Sequence, residues 1–330
     1  MNDTYELPSA EALCLLAEKT AAVLGSESST YRPCRSDGAA GSLLDFVSAV
    51  PLPLIVVPDL HARVYFLEHL LSFTPPQGFF PDNTLTVLQA LEKGCVRIVC
   101  VGDGLHSEHR GAQRWSLAWR DFSENVIDGT PMRQEMAEGL TLMTRIMDCK
   151  CRFPTLFHYL RGNHENIRNE EKNGFFPFYK YAAEGMMAAR FMEKVYGKQV
   201  VSAYARFEGL LPLAAAFPEC MITHAEPAGS YTRDMLINAY LFPASVTGLV
   251  WTANGEAADG SVQRTLENVL GKEKADKAVY FGGHRPVTGT YGLRQKGKFI
   301  QLHNPEEEHV ALVEPGKCFN PDTDIVSVGI

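Results

Sequence analysis

Five times along this chain a short apolar run ends abruptly in residues that bind metal ions. Leu54-Ile55-Val56-Val57 leads to Asp59 and His61, and Val96 to Val101 leads to Gly102-Asp103. Thr155 to Leu160 leads to Gly162-Asn163-His164-Glu165, Cys220 to Thr223 to His224, and Ala278 to Phe281 to Gly282-Gly283-His284. Runs this short, rich in β-branched and aromatic residues, suit strands buried on both faces. Helical periodicity lies between them, over Tyr65–Leu71, Pro131–Cys149 and Phe178–Tyr196. Strand, polar loop and helix in repetition predict an α/β domain whose site lies beyond the strand ends.

Taken singly, each polar residue has an ordinary explanation. An Asp after a strand caps a turn, and a His there is usually a hydrogen-bonded structural residue. Together they share one chemistry, because carboxylate, imidazole and amide oxygen all suit divalent cations, and cysteine is missing from the set. An Asp shared by two ions would hold them about 3.5–4 Å apart, where both act on one water and one phosphoryl group. Two cations also bring the acidity of that water toward neutral pH.

Composition narrows the partners. The 330 residues carry a net charge of −8, with 45% hydrophobic and 21% charged residues. Nucleic-acid surfaces need clustered Lys and Arg, so this balance argues against one, though not against a small anionic substrate. The eight cysteines are scattered and read as reduced core thiols of a cytoplasmic protein. Cys149-Lys150-Cys151 is the one close pair, with no second pair to complete a structural zinc site. No apolar stretch approaches the roughly 20 residues of a membrane span. Asp3 and Glu6 stand where a signal peptide would be basic. Residues 1–50 read as an N-terminal extension, with a helix over Pro8–Gly25 and a linker over Ser26–Gly41, ahead of a main domain over 51–330. The sequence is silent on oligomeric state.

The segment Leu160-Arg161-Gly162-Asn163-His164-Glu165 reproduces a specific motif, LRGNHE, of the calcineurin-like metallophosphoesterases. Within that superfamily the chain most resembles the phosphoprotein phosphatases, the serine/threonine phosphatase type. Asp59-Leu60-His61 and Val101-Gly102-Asp103 resemble the first two motifs, and Asn173-Gly174-Phe175-Phe176 the segment after GNHE. Leu211 to Ala215, Thr223-His224-Ala225 and Leu249-Val250-Trp251 follow in family order. Gly282 to Val287 resembles the late Gly-His-Thr-Pro motif of related bacterial phosphatases. The resemblance covers about residues 52–303 and implies a β-sandwich flanked by helices, with a dimetal site at the C-terminal ends of strands. It implies Asp59 and His61 on the first ion, Asp103 as the bridge, and Asn163, His224 and His284 on the second. His164 would protonate the leaving group and Arg110 would bind phosphate. The ligand set suits manganese first, with iron or zinc as alternatives.

The departures define further expectations. Pro58 and Ala62 stand where the family has glycines, a change expected to alter the loop. The second motif, Gly102 to Gly111, is three residues longer than the family's and lacks its second Asp, which orients the catalytic His. His106 or His109 falls at the vacant position, and Glu108 is the candidate replacement carboxylate, with Glu165 behind it. Residues 111–152 read as a helical insertion, with Trp115 and Trp119 on one face, either capping the site or packing on the core. Arg264 and Arg285 are the candidates for a second substrate arginine. His303 follows a strand-like Phe299–Leu302; it reads as structural, with the first ion as its alternative partner.

Three functions fit these residues. The leading one is a phosphomonoesterase acting on a phosphoprotein, a phosphopeptide or a small phosphorylated metabolite. The second is a nucleotide or dinucleoside polyphosphate hydrolase. The third is a non-catalytic, metal-binding interaction protein of the same fold.

Overall fold

Residues 5–329 are described by a computed structural model; Asp3 of the N-terminal reading lies outside them. Among these residues the strands are β1 (Leu43–Asp45), β2 (Leu54–Val57), β3 (Arg97–Cys100), β4 (Phe157–Tyr159), β5 (Ala214–Ala216), β6 (Cys220–Thr223), β7 (Val279–Gly282), β8 (Gly292–Arg294), β9 (Phe299–Gln301), β10 (His309–Val313) and β11 (Ile325–Ser327). They form a six-stranded sheet in the order β1-β5-β6-β7-β9-β8 and a five-stranded sheet in the order β11-β10-β2-β3-β4.

Period-2 alternation explains how the sheets stack. Leu54 and Val56 of β2, Val99 of β3, Cys220 and Ile222 of β6, Phe281 of β7 and Ile300 of β9 form the core between the sheets. Their neighbours point outward: Ile55, Val57, Ile98, Cys100 and Phe157 meet the helices Ala10–Gly25, Val64–Ser72 and Thr130–Arg152. Met221, Tyr280 and Phe299 meet the helices Pro243–Val250 and Ser261–Leu270. Both sheet faces are therefore buried, which is why the strands read as continuous apolar runs.

Strand direction then places the site. β2, β3 and β4 run parallel in one sheet. β6, β7 and β9 run parallel in the other. Every ligand-type residue follows the C-terminal end of one of these six strands.

Several sequence expectations shift. Leu43–Asp45, within the stretch read as an extension, pairs in parallel with β5 at the sheet edge. The first helix begins at Ala10 rather than Pro8, because the Ser9 side chain caps it by accepting the Ala12 N–H at 3.2 Å. The helix expected over Phe178–Tyr196 starts only at Glu184. A second helix, Gly197–Gly209, follows a break at Gly197, whose φ is +81°. In residues 111–152, the helix Ala112–Ser123 buries Trp115 completely but leaves Trp119 exposed, so the two do not share an environment. The helix Thr130–Arg152 packs into the core, while its Glu135 and Glu138 hold Ser107, Arg110 and Arg114 of the second-motif region. All eight cysteines are unpaired. Among the described residues no helix is long and apolar enough to cross a membrane.

Candidate metal centre

The loops after the six parallel strands meet at one end of the sandwich. Three of their polar residues occupy the left-handed region: His61 at φ +42°, Asp103 at +55° and His284 at +65°. For residues with a Cβ this conformation costs on the order of 1–3 kcal/mol each and clusters at functional sites. Ala62 joins them at +58°, so the lost glycine does not keep the chain out of the conformation glycine favours. Hydrogen bonds hold it there: His61 N–H donates to the Asp103 carbonyl at 2.8 Å and Ala62 N–H to the Gly104 carbonyl at 2.7 Å.

Asp103 sits at the centre. Its Oδ2 lies 3.4 Å from His224 Nε2, 3.7 Å from His164 Nε2 and 3.9 Å from His61 Nε2. Asn163 Oδ1 lies 2.8 Å from His224 Nε2 and 2.9 Å from His284 Nδ1. Asp59 is engaged by His284 N–H at 3.0 Å, by His224 Nδ1 at 3.2 Å and by His303 Nδ1 at 3.5 Å. Gly283 makes this approach possible, since a Cβ there would fall 1.9 Å from Asp59 Oδ2.

The ring nitrogens test whether cations fit. His61 Nδ1 is 3.0 Å from the His106 carbonyl and His224 Nδ1 is 3.0 Å from the Val101 carbonyl. A carbonyl only accepts, so each Nδ1 carries a proton; His61 Nε2 can then offer a lone pair, whereas His224 Nε2, 2.8 Å from the Asn163 Oδ1 acceptor, is placed as a donor. His61 Nε2, His284 Nε2 and His303 Nδ1 are buried with no hydrogen-bond partner. Such orphaned atoms are costly unless a ligand completes them. Ligand atoms of Asp103, His224 and His284 lie within 4.8 Å of one another, as do those of His61, Glu108 and His303. These residues fit divalent cations in type, burial and spacing.

Electrostatics divide the histidines: His61 and His284 are held neutral, whereas His224 holds a proton that a bound cation would displace. Burial drives the His61 pKa down to about 3, against the charge of Glu108, and drives His284 well below its usual range. Both are therefore neutral donors. Burial alone would lower His224 too, but Asp103 and Asp59 outweigh it and raise His224 to about 9. Burial likewise opposes ionisation of Asp103, yet the charges of His164 and His224 hold it well below the carboxylate range.

Other expected residues lie differently. Glu108 does not orient His164: its Oε2 lies 3.0 Å from His303 Nε2, and Lys180 Nζ donates to its Oε1 at 2.9 Å. Glu165 does not reach the ring either, because its carboxylate accepts backbone N–H groups of Asp103, Gly104 and Gly162. The three extra residues of the second motif carry Glu108 toward His303 instead. The His164 ring stacks on Phe178 with centroids 4.2 Å apart, and Asp103 is the carboxylate facing its Nε2. His106 lies beside it, ring centroids 5.6 Å apart, while His109 is exposed. Arg110 donates to Glu138 at 2.6 Å and toward the His61 carbonyl at 3.4 Å, so its fork is already engaged. Arg285 is exposed beside His284. Arg264 lies apart, bonded to the Asp259 carbonyl and lining a cavity of about 860 Å³ with Glu226, Arg294 and Lys296.

Sequence reasoning missed Lys180 and Phe178, which reach the site from the loop before Glu184 and carry no local signal. His303, read as structural with the first ion as its alternative partner, lies between Asp59 and Glu108.

The sequence matches no protein-family model and no curated protein sequence. The structure is similar to a protein serine/threonine phosphatase from Saccharomyces cerevisiae described as similar to human phosphatase PP5. That match has a TM-score of 0.56 and 14% identity over 97% of this chain and 89% of the other. It also aligns with a cold-active protein-tyrosine phosphatase of a psychrophilic Shewanella species, with a TM-score of 0.43 and 12% identity over 87% and 82% of the two chains. A metallophosphoesterase from Sphaerobacter thermophilus aligns with a TM-score of 0.33 and 13% identity over 84% and 87%. The fold argument rests on the first of these. Two sheets flanked by helices, with the candidate ligands clustered at the strand ends, give the chain the fold of that serine/threonine phosphatase.

Proposed function

We propose that the chain is a metal-dependent phosphoesterase whose substrates are phosphomonoesters on a protein, a peptide or a small metabolite. The observation that carries this reading is the convergence of Asp103, Asn163, His224 and His284 from both sheets, with buried ring nitrogens left to be satisfied. Asp59, His61 and Asp103 would hold one divalent ion, and Asp103, Asn163, His224 and His284 a second. Manganese is the first choice, with iron or zinc as alternatives. When bound, such ions acidify a water and offset the charge of the phosphoryl group.

The chain's own groups do the rest. His164 stands beside Asp103 with its ring fixed by Phe178, where it can give a proton to the departing oxygen. Arg285, exposed and adjacent in sequence to His284, is the guanidinium we assign to the phosphoryl oxygens. Arg110 is committed to Glu138 and serves that role only if the pair opens.

The test is a parallel assay on p-nitrophenyl phosphate, bis-p-nitrophenyl phosphate and diadenosine tetraphosphate, with and without added Mn²⁺. Manganese-stimulated turnover of the monoester, lost in Asp103→Asn, is expected. Preferential cleavage of diadenosine tetraphosphate would replace the monoester reading with the polyphosphate one. No turnover of any of them, with ions bound, would favour the interaction protein.

A further inference from the structure

Glu108 and His303 are not among the ligands that the resemblance supplies. Glu108 belongs to the lengthened second loop and His303 follows β9. Both nevertheless arrive at His61. Glu108 Oε1 is 3.7 Å from His61 Nε2, Glu108 Oε2 is 3.0 Å from His303 Nε2, and the His61 and His303 rings are 5.0 Å apart. On its far side His303 Nδ1 lies 3.5 Å from Asp59 Oδ2. His61 is 3% exposed and His303 fully buried; the unpartnered nitrogen of His61, Nε2, faces Glu108, and that of His303, Nδ1, faces Asp59.

An ion pair alone does not account for the arrangement. Glu108 already has a cation, Lys180, at 2.9 Å. A carboxylate so neutralised has no need of two buried imidazoles, each of which keeps one ring nitrogen without a hydrogen-bond partner. A cation between them satisfies all three groups, since imidazole and carboxylate together suit borderline divalent ions.

We propose that Glu108 and His303 are additional protein ligands of the first ion, completing a cage with Asp59, His61 and Asp103. The inference rests on the dimetal reading above. It makes the two sites unequal: five side chains serve the first ion against four for the second. The first ion is therefore the tightly held one and the second the exchangeable one. With fewer of its positions filled by protein, the second ion is the one open to the substrate's phosphoryl oxygens.

The full chain, stripped by chelator dialysis, is titrated with Mn²⁺ and bound metal is read by mass spectrometry after gel filtration. Wild type is expected to bind two ions with separable affinities. Glu108→Gln and His303→Asn should each weaken the tighter one by at least the about 10–100-fold that loss of even an outer-shell partner costs, and leave the weaker one unchanged. Lys180→Ala frees the carboxylate of its competitor and should keep or strengthen the tight site. The idea is overturned if Glu108→Gln and His303→Asn bind as wild type does, or if Lys180→Ala weakens binding as much as Glu108→Gln. Should Glu108→Gln fail to fold by circular dichroism, Glu108→Asp keeps the charge on a shorter arm and reads the same affinity. A wild-type chain that binds no Mn²⁺, Fe²⁺ or Zn²⁺ would instead defeat the dimetal reading itself.

Discussion

The Glu165 carboxylate accepts the backbone N–H of Asp103 at 2.9 Å. It also accepts from Gly104 N–H at 3.0 Å, Gly162 N–H at 2.7 Å and the Tyr159 hydroxyl at 2.9 Å. One side chain thereby ties the loop after β3 to the loop after β4. The left-handed turn at Asp103 survives because four donors converge on a single buried acid. This is the physical content of the final Glu in the six-residue motif: it builds the loop that presents Asp103 and leaves proton transfer to others.

The close approach of Gly283 to Asp59 gives the first prediction. A Cβ at 283 would lie 1.9 Å from Asp59 Oδ2 and 2.7 Å from its Cγ. Neither partner can yield easily, since Gly283 N–H is bonded to the His224 carbonyl at 2.8 Å and Asp59 is fully buried. Gly283→Ala should fold, because the clash is local, yet lose metal and turnover together. Metal content per chain and kcat/KM for p-nitrophenyl phosphate are the readouts. Two ions at wild-type rate would show that Asp59 has more freedom than the structure gives it.

A second prediction concerns Glu27, which is buried with Arg32 and Lys150 as its cations. Lys150 Nζ donates to it at 2.6 Å, and Arg32 also donates to the Gly41 carbonyl at 2.8 Å and the Leu24 carbonyl at 3.2 Å. His158 lies 3.6 Å away. Burial opposes ionisation of Glu27, but His158, Lys150 and Arg32 together hold its carboxyl far below the usual range. Glu27→Gln leaves two buried cations without an anion, a change that costs about 3–5 kcal/mol. Urea unfolding at neutral pH measures it; a loss under about 1 kcal/mol would class the cluster with surface pairs.

Much of this architecture could be read directly. The ligand loops follow strands buried on both faces, so apolar runs and the polar residues after them mark the site by contrast. Which Asp, Asn and His would meet came from the family resemblance rather than from spacing. What stayed hidden depends on contacts distant in sequence. Phe178 and Lys180 act from a loop that helical periodicity had absorbed into the Glu184 helix. β1, β8 and β11 are three residues long, as β4 and β9 are, but no ligand-type residue follows them to mark their ends. Glu108 was expected beside His164 as the carboxylate replacing the missing Asp, whereas the longer loop turns it toward His303.

Glu208 supplies a pH dependence. It is buried and accepts the Ile167 N–H at 2.9 Å, and burial raises its pKa from 4.5 to about 8 despite the nearby Arg161. A raised carboxyl pKa means the folded state holds a proton that the unfolded chain releases above 4.5. Its contribution to stability is thus complete below about pH 4.5 and is lost as pH rises toward 8. Glu208→Gln mimics the protonated form. It should match wild type at pH 5 and exceed it in thermal stability at pH 8–9. Parallel curves of Tm against pH for the two proteins would show that Glu208 is not the titrating group.

His164 carries the last prediction. Its backbone N–H donates to Asp103 Oδ1 at 3.0 Å, a bond that survives any side-chain change. The ring is a separate matter: it stacks on Phe178 and is partly open to solvent, with Nε2 3.7 Å from Asp103 Oδ2. That position suits a proton donor, and it equally suits a brace for the loop. Leaving groups distinguish the two. An alkoxide needs a proton to depart, whereas p-nitrophenolate hardly does, and general acids contribute typically about 10²–10⁴-fold. His164→Asn should therefore slow an alkyl phosphate by about that factor and p-nitrophenyl phosphate far less, with metal content unchanged. Phe178→Leu, which removes the stacking partner but leaves the imidazole, should show a weaker form of the same bias. Equal slowing of both substrates by His164→Asn would assign the residue to loop structure.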